Sequence, residues 1–271
     1  MKARIWGCRG SLATPGEQTV RYGGNTTCLE VRAASGKVLV LDAGTGVRDL
    51  GRSLAGERIR ELDLLLTHLH LDHIEGLGFL AALFDPDCTV RIYGPRPDGG
   101  SLADKIAGYL SPPYFPVPFE QFDASISFVE LERDTWELDG LTITAAPVRH
   151  RGPTLAYRIA EGDRSLAFIP DNEPGLEPES GLELAAGADV LLHDAQYSDE
   201  EYAARVGWGH TGTSHLIRYL DDARPARAVM VHHDPAHDGE TLETLLRKAR
   251  DGSSCPVELG REGLVIDLPP S

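Results

Sequence analysis

The sequence predicts a layered α/β sandwich, and three observations carry that expectation. Short apolar runs of strand length recur along nearly the whole chain. Amphipathic helical patterns separate several of these runs but not every one, which disfavours a barrel of regularly alternating strands and helices. The chain has 271 residues, 41% of them hydrophobic and 25% charged, the make-up of a globular protein with ample core. No low-complexity linker or internal repeat interrupts it, so residues 1–271 are expected to form one domain.

In chain order, Cys28–Arg32, Lys37–Asp42, Glu61–Leu66, Val90–Tyr93, Leu141–Ala146, Thr154–Ile159, Ser165–Ile169, Asp189–His193 and Ala228–Val231 read as strands, with strand signals continuing to Val265. Leu102–Leu110 reads as a helix because Ser101 ahead of it is a suitable N-cap. Thr213–Leu220 and Thr241–Arg250 are also helical, the latter with Leu242, Leu245, Leu246 and Ala249 on one face. Two stretches break the order. Ser11–Tyr22 (SLATPGEQTVRY) is one. Ser111–Glu120 (SPPYFPVPFE) is the other, and its four prolines exclude a regular helix or a central strand. A stiff loop of this kind is a candidate lining for a cleft, with Tyr114 and Phe115 as the side chains that would meet a substrate.

The charge excludes some partners. Lys and Arg number 26 against 42 Asp and Glu, a formal net charge of −16. Extended nucleic acid is gripped mainly by basic stripes that displace counterions, whereas the average field here repels polyanions. No run reaches the roughly 18 apolar residues of a membrane helix. The opening MKARIWGCRG lacks the apolar core of a secretory signal. Cys8, Cys28, Cys88 and Cys255 are scattered without a CxxC pair, which suits buried thiols in the reducing cytoplasm.

The strongest local signal is Thr67–Gly76, THLHLDHIEG. If the strand that precedes it stays extended, His68, His70 and Asp72 share one face. His73 breaks that parity, so a turn is expected there, followed by a helix from Ile74. Three imidazoles and a carboxylate beside each other suit Zn²⁺, Mn²⁺ or Fe²⁺. Later apolar runs end in His150, in Asp171 and in His232–His233, and strand ends along one sheet edge are where α/β folds place ligands.

This HxHxDH motif with its distant His, Asp and His resembles the metallo-β-lactamase superfamily, and the matching landmarks span Asp42 to His232. The resemblance implies a four-layer αβ/βα sandwich with two divalent metals at the sheet edges, zinc foremost. It implies that His68, His70 and His150 bind one metal, that Asp72, His73 and His232 bind the other, and that Asp171 bridges them. His232 is preferred to His233 because it directly follows the apolar AVMV. Asp42, in LVLDAGTG, would brace the ligands through hydrogen bonds. A bridging carboxylate at position 171, where well-known β-lactamases carry cysteine, points towards phosphoester hydrolysis. His70, where flavodiiron proteins have glutamate, argues against oxygen or nitric oxide reduction.

LLHDAQY (191–197) and GWGHTGTSH (207–215) resemble the paired segments of the RNase Z-like branch. That resemblance implies that Asp194 orients His210, which would protonate a leaving oxygen while Asp72 orients the nucleophile. His193 and His215 are taken as structural. The amino-terminal IWGCRGSLATPGEQTVRYGGNTTCLEV is similar to a bacterial group in this branch, and Asn25 and Thr26 would contact a substrate or brace a ligand. The expected activity is a phosphodiesterase on a small, cyclic nucleotide-like substrate, with Arg9, Arg21 or Arg149 as local cations and a homodimer admissible. The alternatives are a tRNA 3′-processing nuclease, a lactonase or thioesterase, and a non-catalytic metal-dependent binding protein. Against the nuclease, the insert between His73 and His150 carries no Gly- and basic-rich arm.

Overall fold

The computed structural model, which describes residues 1–57, 59–174 and 181–268, contains two mixed sheets of seven strands each. The first holds β1 (Lys2–Gly7), β2 (Cys28–Arg32), β3 (Val38–Leu41), β4 (Glu61–Leu65), β5 (Thr89–Pro95) and β6 (Ser125–Leu131) in that spatial order. The second runs from β7 (Asp134–Leu138) through β8 (Leu141–Pro147), β9 (Leu155–Glu161), β10 (Arg164–Ile169), β11 (Val190–Asp194) and β12 (Ala228–Val231) to β13 (Val257–Leu259). The last strand, β14 (Val265–Asp267), returns to pair with β1 in the first sheet.

Side chains alternate across each sheet with the strand period of two, and both faces are apolar. Leu39 and Leu41 of β3 face a core shared with Leu166 and Phe168 of β10, while Val38 and Val40 face away from it. On the outer face of the first sheet lie α1 (Val47–Ala55), α2 (Leu71–Ile74) and α3 (Leu102–Tyr109). The second sheet is covered by α4 (Leu182–Ala185), α6 (Thr213–Ala223) and α7 (Gly239–Gly252), with α5 (Asp199–Ala203) at its margin. The result is the four-layer αβ/βα sandwich. Both sheets being covered on both faces explains why their central strands read as continuous apolar runs. Ser101 caps α3 in a reciprocal pair with Asp104, and α7 buries Leu242, Leu245, Leu246 and Ala249 as its pattern requires. Among the described residues no helix is long and apolar enough to cross a membrane.

The strands that escaped the sequence reading are mostly edge or near-edge strands. β6 and β7 close the two sheets, and their half-exposed residues alternate with polar ones. α1 carries Gly51 in its middle, a residue that weakens a helical signal. That glycine lies against the next segment, where an added Cβ would be 3.0 Å from Ala81 N.

In each sheet one half is antiparallel and the other parallel. β3, β4, β5 and β6 run parallel, as do β10, β11, β12 and β13. Their carboxyl ends deliver Asp42, His68, Asp171, Asp194 and His232 to the sheet edges. The sheets are tied together there: Leu155 N donates to Thr67 O at 2.8 Å and Tyr157 OH to Leu66 O at 2.7 Å.

Asp63 on β4, fully buried, is the most deeply buried charged group on the strands of the first sheet. It accepts from Arg91 Nε at 2.6 Å and Tyr93 OH at 3.1 Å and pairs with Lys37 Nζ at 2.7 Å. Burial alone would raise its pKa, but Arg91 and Lys37 outweigh it and hold the carboxyl below its usual range. A lowered native pKa means stability that is present above the unfolded value and lost as pH falls. Asp63→Ala removes the carboxylate shared by Lys37, Arg91 and Tyr93 and leaves Lys37 with Asp139 at 3.2 Å and Glu61 at 3.7 Å, so urea unfolding is expected to show a loss of about 1–3 kcal/mol. The difference between wild type and variant should shrink below about pH 4. An unchanged urea midpoint at neutral pH would show that the pairs contribute nothing net.

Candidate metal centre

The THLHLDH segment leaves β4 extended only as far as His70 (φ −66°, ψ 151°), and α2 begins at Leu71. The alternation expected through Asp72 therefore ends early, and Asp72 and His73 reach the centre as neighbours on one helical turn. The loop after β3 forces this turn. Ala43 N donates to His73 O at 2.7 Å and Gly76 N to Ala43 O at 2.9 Å. Only glycine fits at 76, where a Cβ would stand 2.2 Å from Gly44 O.

The residues expected to be ligands come together. His68, His70 and His150 bring one nitrogen each within 4.8 Å of one another; so do the donor atoms of His68, His73 and Asp171, and those of Asp72, His73 and His232. His70 Nδ1 and His150 Nε2 are 3.0 Å apart. Asp171 Oδ1 lies 3.1 Å from His73 Nε2, and its Oδ2 lies 3.3 Å from His232 Nε2 and 3.6 Å from His150 Nε2. Asp72 Oδ2 is 3.1 Å from His232 Nε2. His233 turns away, with Nε2 at 2.9 Å from Gly260 O.

Each ring is aimed by what its other nitrogen does. His73 Nδ1 donates to Asp42 Oδ2 at 2.8 Å, His150 Nδ1 to Gly209 O at 2.8 Å, and His232 Nδ1 to Gln196 Oε1 at 3.0 Å. His68 Nδ1 lies 3.1 Å from Thr67 Oγ1. That hydroxyl gives its own proton to Asp42, so it accepts from the ring. These bonds keep a proton on Nδ1 and turn Nε2 inward.

The inward side is crowded with charge. Burial opposes protonation of His73, yet Asp171, Asp72 and Asp42 hold its proton far above the ordinary histidine range. His232, equally buried, is lifted to about 9 by Asp171 and Asp72. Burial pushes His150 down to about 4. One atom buried at the centre, His68 Nε2, has no hydrogen-bond partner, and Asp171 Oδ1 meets only the His73 ring, at 3.1 Å. An unsatisfied ring nitrogen beside two carboxylates is what a cation would complete, and imidazole and carboxylate without thiolate suit a divalent ion. The four cysteines are free, and none belongs to these groups.

Next to this cluster, His210 Nδ1 donates to Asp194 Oδ2 at 2.9 Å. Asp194 also accepts from Asn172 N at 3.2 Å and from Gln196 N at 2.9 Å. The His210 ring stacks on His232, with centroids 4.9 Å apart and planes 18° apart. His193 packs its ring on Tyr219, and His215 on Tyr202.

The remaining candidates for substrate contact differ in burial and in the bonds they make. Thr26 is 0% exposed, and its hydroxyl is used by Glu75 and Thr45 N, so it braces rather than meets a substrate. Asn25 holds the amino-terminal turn, donating its N–H to Glu262 and accepting from Cys8 N and Arg9 N. Phe115 packs on Phe79 and Phe122, while Tyr114 is exposed. Arg9 is buried and donates to the carbonyls of Gly23, Asp234 and His237, which removes it as a substrate cation. Arg21 pairs with Glu243 on the surface.

Several participants were not among the candidate residues. Ser11 N donates to Asp72 Oδ2 at 2.7 Å. Gln196 orients His232. Glu173, buried, accepts from Gly207 N at 2.7 Å, Gly209 N at 2.8 Å and Tyr202 OH at 3.1 Å, and so positions the carbonyl that aims His150. Glu173 and Gln196 lie two residues beyond Asp171 and Asp194 respectively, and Ser11 and Gln196 lie in the family-like segments IWGCRGS and LLHDAQY.

A family model described as a Beta-lactamase superfamily domain matches residues 37–233. The chain belongs to the beta-lactamase superfamily. Within it, the chain is similar to Ribonuclease Z of Mycobacterium sp. (strain KMS), 31% identical over 258 residues that cover 88% of each protein. The structure of the metallo-beta-lactamase fold protein YhfI from Bacillus subtilis superposes with a TM-score of 0.76 at 20% identity, over 98% of both chains. Human tRNase Z, short form, gives 0.70 at 19% identity, covering 99% of this chain and 100% of that one. These two structural matches establish the fold. Superfamily membership, the Ribonuclease Z likeness and the His/Asp clusters make the chain a metal-dependent hydrolase.

Glu173→Gln exchanges one carboxylate acceptor for an NH₂ and breaks one of the two backbone bonds that hold the Gly207–Gly209 turn. Chelator competition is expected to show metal affinity about 10- to 100-fold lower, with far-UV circular dichroism unchanged. Unaltered affinity would mean the turn aims His150 without Glu173.

Proposed function

We propose that this chain is a binuclear metal-dependent phosphodiesterase acting on a small phosphodiester such as a cyclic nucleotide. The observation that carries the reading is the Asp194–His210 pair standing against a cluster with a carboxylate, Asp171, at its middle. His68, His70 and His150 would hold one cation and Asp72, His73 and His232 the other, with Asp171 between them. Bound divalent cations of this kind make water nucleophilic near neutral pH and neutralise charge on a phosphoryl group. Zinc is proposed first, and the donor set admits manganese or iron.

The chain's own residues supply the rest. Asp72, fixed by Ser11 N, presents a carboxylate that accepts a proton from the attacking water and orients it. Asp194 accepts the hydrogen bond of His210 Nδ1–H and balances the charge of the imidazolium form. The opposite ring edge, Nε2–H, then protonates the oxygen that departs. The sharp difference in acidity between leaving groups makes that role measurable. A ribose oxygen needs the proton, whereas nitrophenolate departs without it.

The net charge of −16 favours a small substrate over a polyanion. A second reading, an RNA 3′-processing nuclease, is favoured by the likeness to Ribonuclease Z. All four cysteines are free, three of them buried, which accords with a cytoplasmic protein.

Metal-loaded protein is expected to hydrolyse bis(p-nitrophenyl) phosphate and 2′,3′-cyclic nucleotides, and to lose both activities on chelation. His210→Ala should lower kcat on the cyclic nucleotide by about 10²- to 10⁴-fold, far less on the nitrophenyl ester, with metal content intact by elemental analysis. Equal losses on both substrates would refute the proton-donor role. Turnover restricted to lactones or thioesters would overturn the phosphodiesterase reading, and efficient cleavage restricted to precursor tRNA would favour the nuclease.

A further inference from the structure

A cleft opens beside the centre, lined by His68, Leu69, His70, Pro95, Pro97 and Arg151 and closed by Gly152 and Pro153. Three of its walls are proline rings, which hold their shape. Among the described residues no carboxylate lines it, in a chain with 42 of them.

Arg151 immediately follows His150. Its Nε donates to Gly207 O at 3.0 Å, and Gly207 N is in turn held by Glu173 at 2.7 Å. The guanidinium is thereby tied to the same turn that aims His150. Among the described residues Arg151 forms no ion pair, and its two terminal nitrogens remain for a ligand. A planar guanidinium fixed along one edge, with donors left on the other, matches two oxygens of a phosphate or carboxylate. The scissile diester belongs among the imidazoles and carboxylates. Arg151 shares the cleft wall with His68 and His70 but, among the described residues, not with Asp72, Asp171 or His232, so an anion held there flanks the centre.

We propose that Arg151 is an anion-binding residue of the substrate cleft, and that the preferred substrate carries a second anionic group, of terminal-phosphate type, beside the scissile phosphodiester. This rests on the phosphodiesterase reading and names its substrate class more narrowly.

The test measures calorimetric Kd values on metal-loaded protein for adenosine 3′-monophosphate and adenosine 3′,5′-bisphosphate, which differ only in the second phosphate. Wild type should bind the bisphosphate about 10- to 100-fold more tightly. Arg151→Ala should bring the ratio of the two Kd values near unity, and Arg151→Lys should retain part of it, with metal content equal in all three proteins. A wild-type ratio near one, or a ratio that Arg151→Ala leaves unchanged, would overturn the proposal. Hydrolysis of bis(p-nitrophenyl) phosphate is followed in the same preparations. If it is absent while the Kd ratio behaves as expected, the phosphodiesterase reading fails and the anion site stands.

Discussion

Asp42 ties the first sheet to the centre. Its carboxylate accepts from Thr67 N at 2.7 Å, from the Thr67 hydroxyl and from His73 Nδ1 at 2.8 Å. Because Thr67 gives its proton to Asp42, it must accept one from His68, so a single buried acid sets the tautomer of two rings. It does so from a left-handed backbone, φ 59°, a conformation that costs a residue with a Cβ about 1–3 kcal/mol. The hydrogen bonds offset that strain by satisfying groups which have no access to water.

The same device recurs with different acceptors. His73 leans on a carboxylate, His150 on a peptide carbonyl and His232 on a side-chain amide. A carboxylate raises ring basicity more than a neutral oxygen does, so the two sides of the centre are not equivalent. The two carboxylates Asp72 and Asp171 crowd the His73–His232 side, whereas His68 and His150 are driven towards neutrality by burial.

Backbone geometry is used where side chains would not fit. A Cβ at Gly10 would lie 2.3 Å from the His232 ring, and one at Gly209 would lie 2.4 Å from His150 Nδ1. Among the described residues, five without glycine's freedom have positive φ, and three of them, Ser11, Asp42 and His232, belong to the centre. Strain gathers where the chain must present a donor or acceptor at one angle.

Much of this was legible in the chain itself. Apolar runs of strand length disclosed the central strands, since a strand buried on both faces must be apolar throughout, and the half-exposed β6 and β7 stayed hidden for the converse reason. THLHLDH announced a cation site because imidazole and carboxylate at that density have few other uses. The motif did not show that Asp72 and His73 arrive on a helical turn, because that turn is imposed by Ala43 and Gly76, whose bonds no local pattern records. Nor did it show that Thr26 and Arg9 are buried braces, that Gln196 aims His232 from 36 residues away, or that Glu173 holds the Gly209 turn behind His150 from 36 residues away. Residue types and their order determine which chemistry is available. Which nitrogen points inward, and what it leans on, depends on contacts between strand ends remote in sequence, and these exist only once the two sheets have closed on each other.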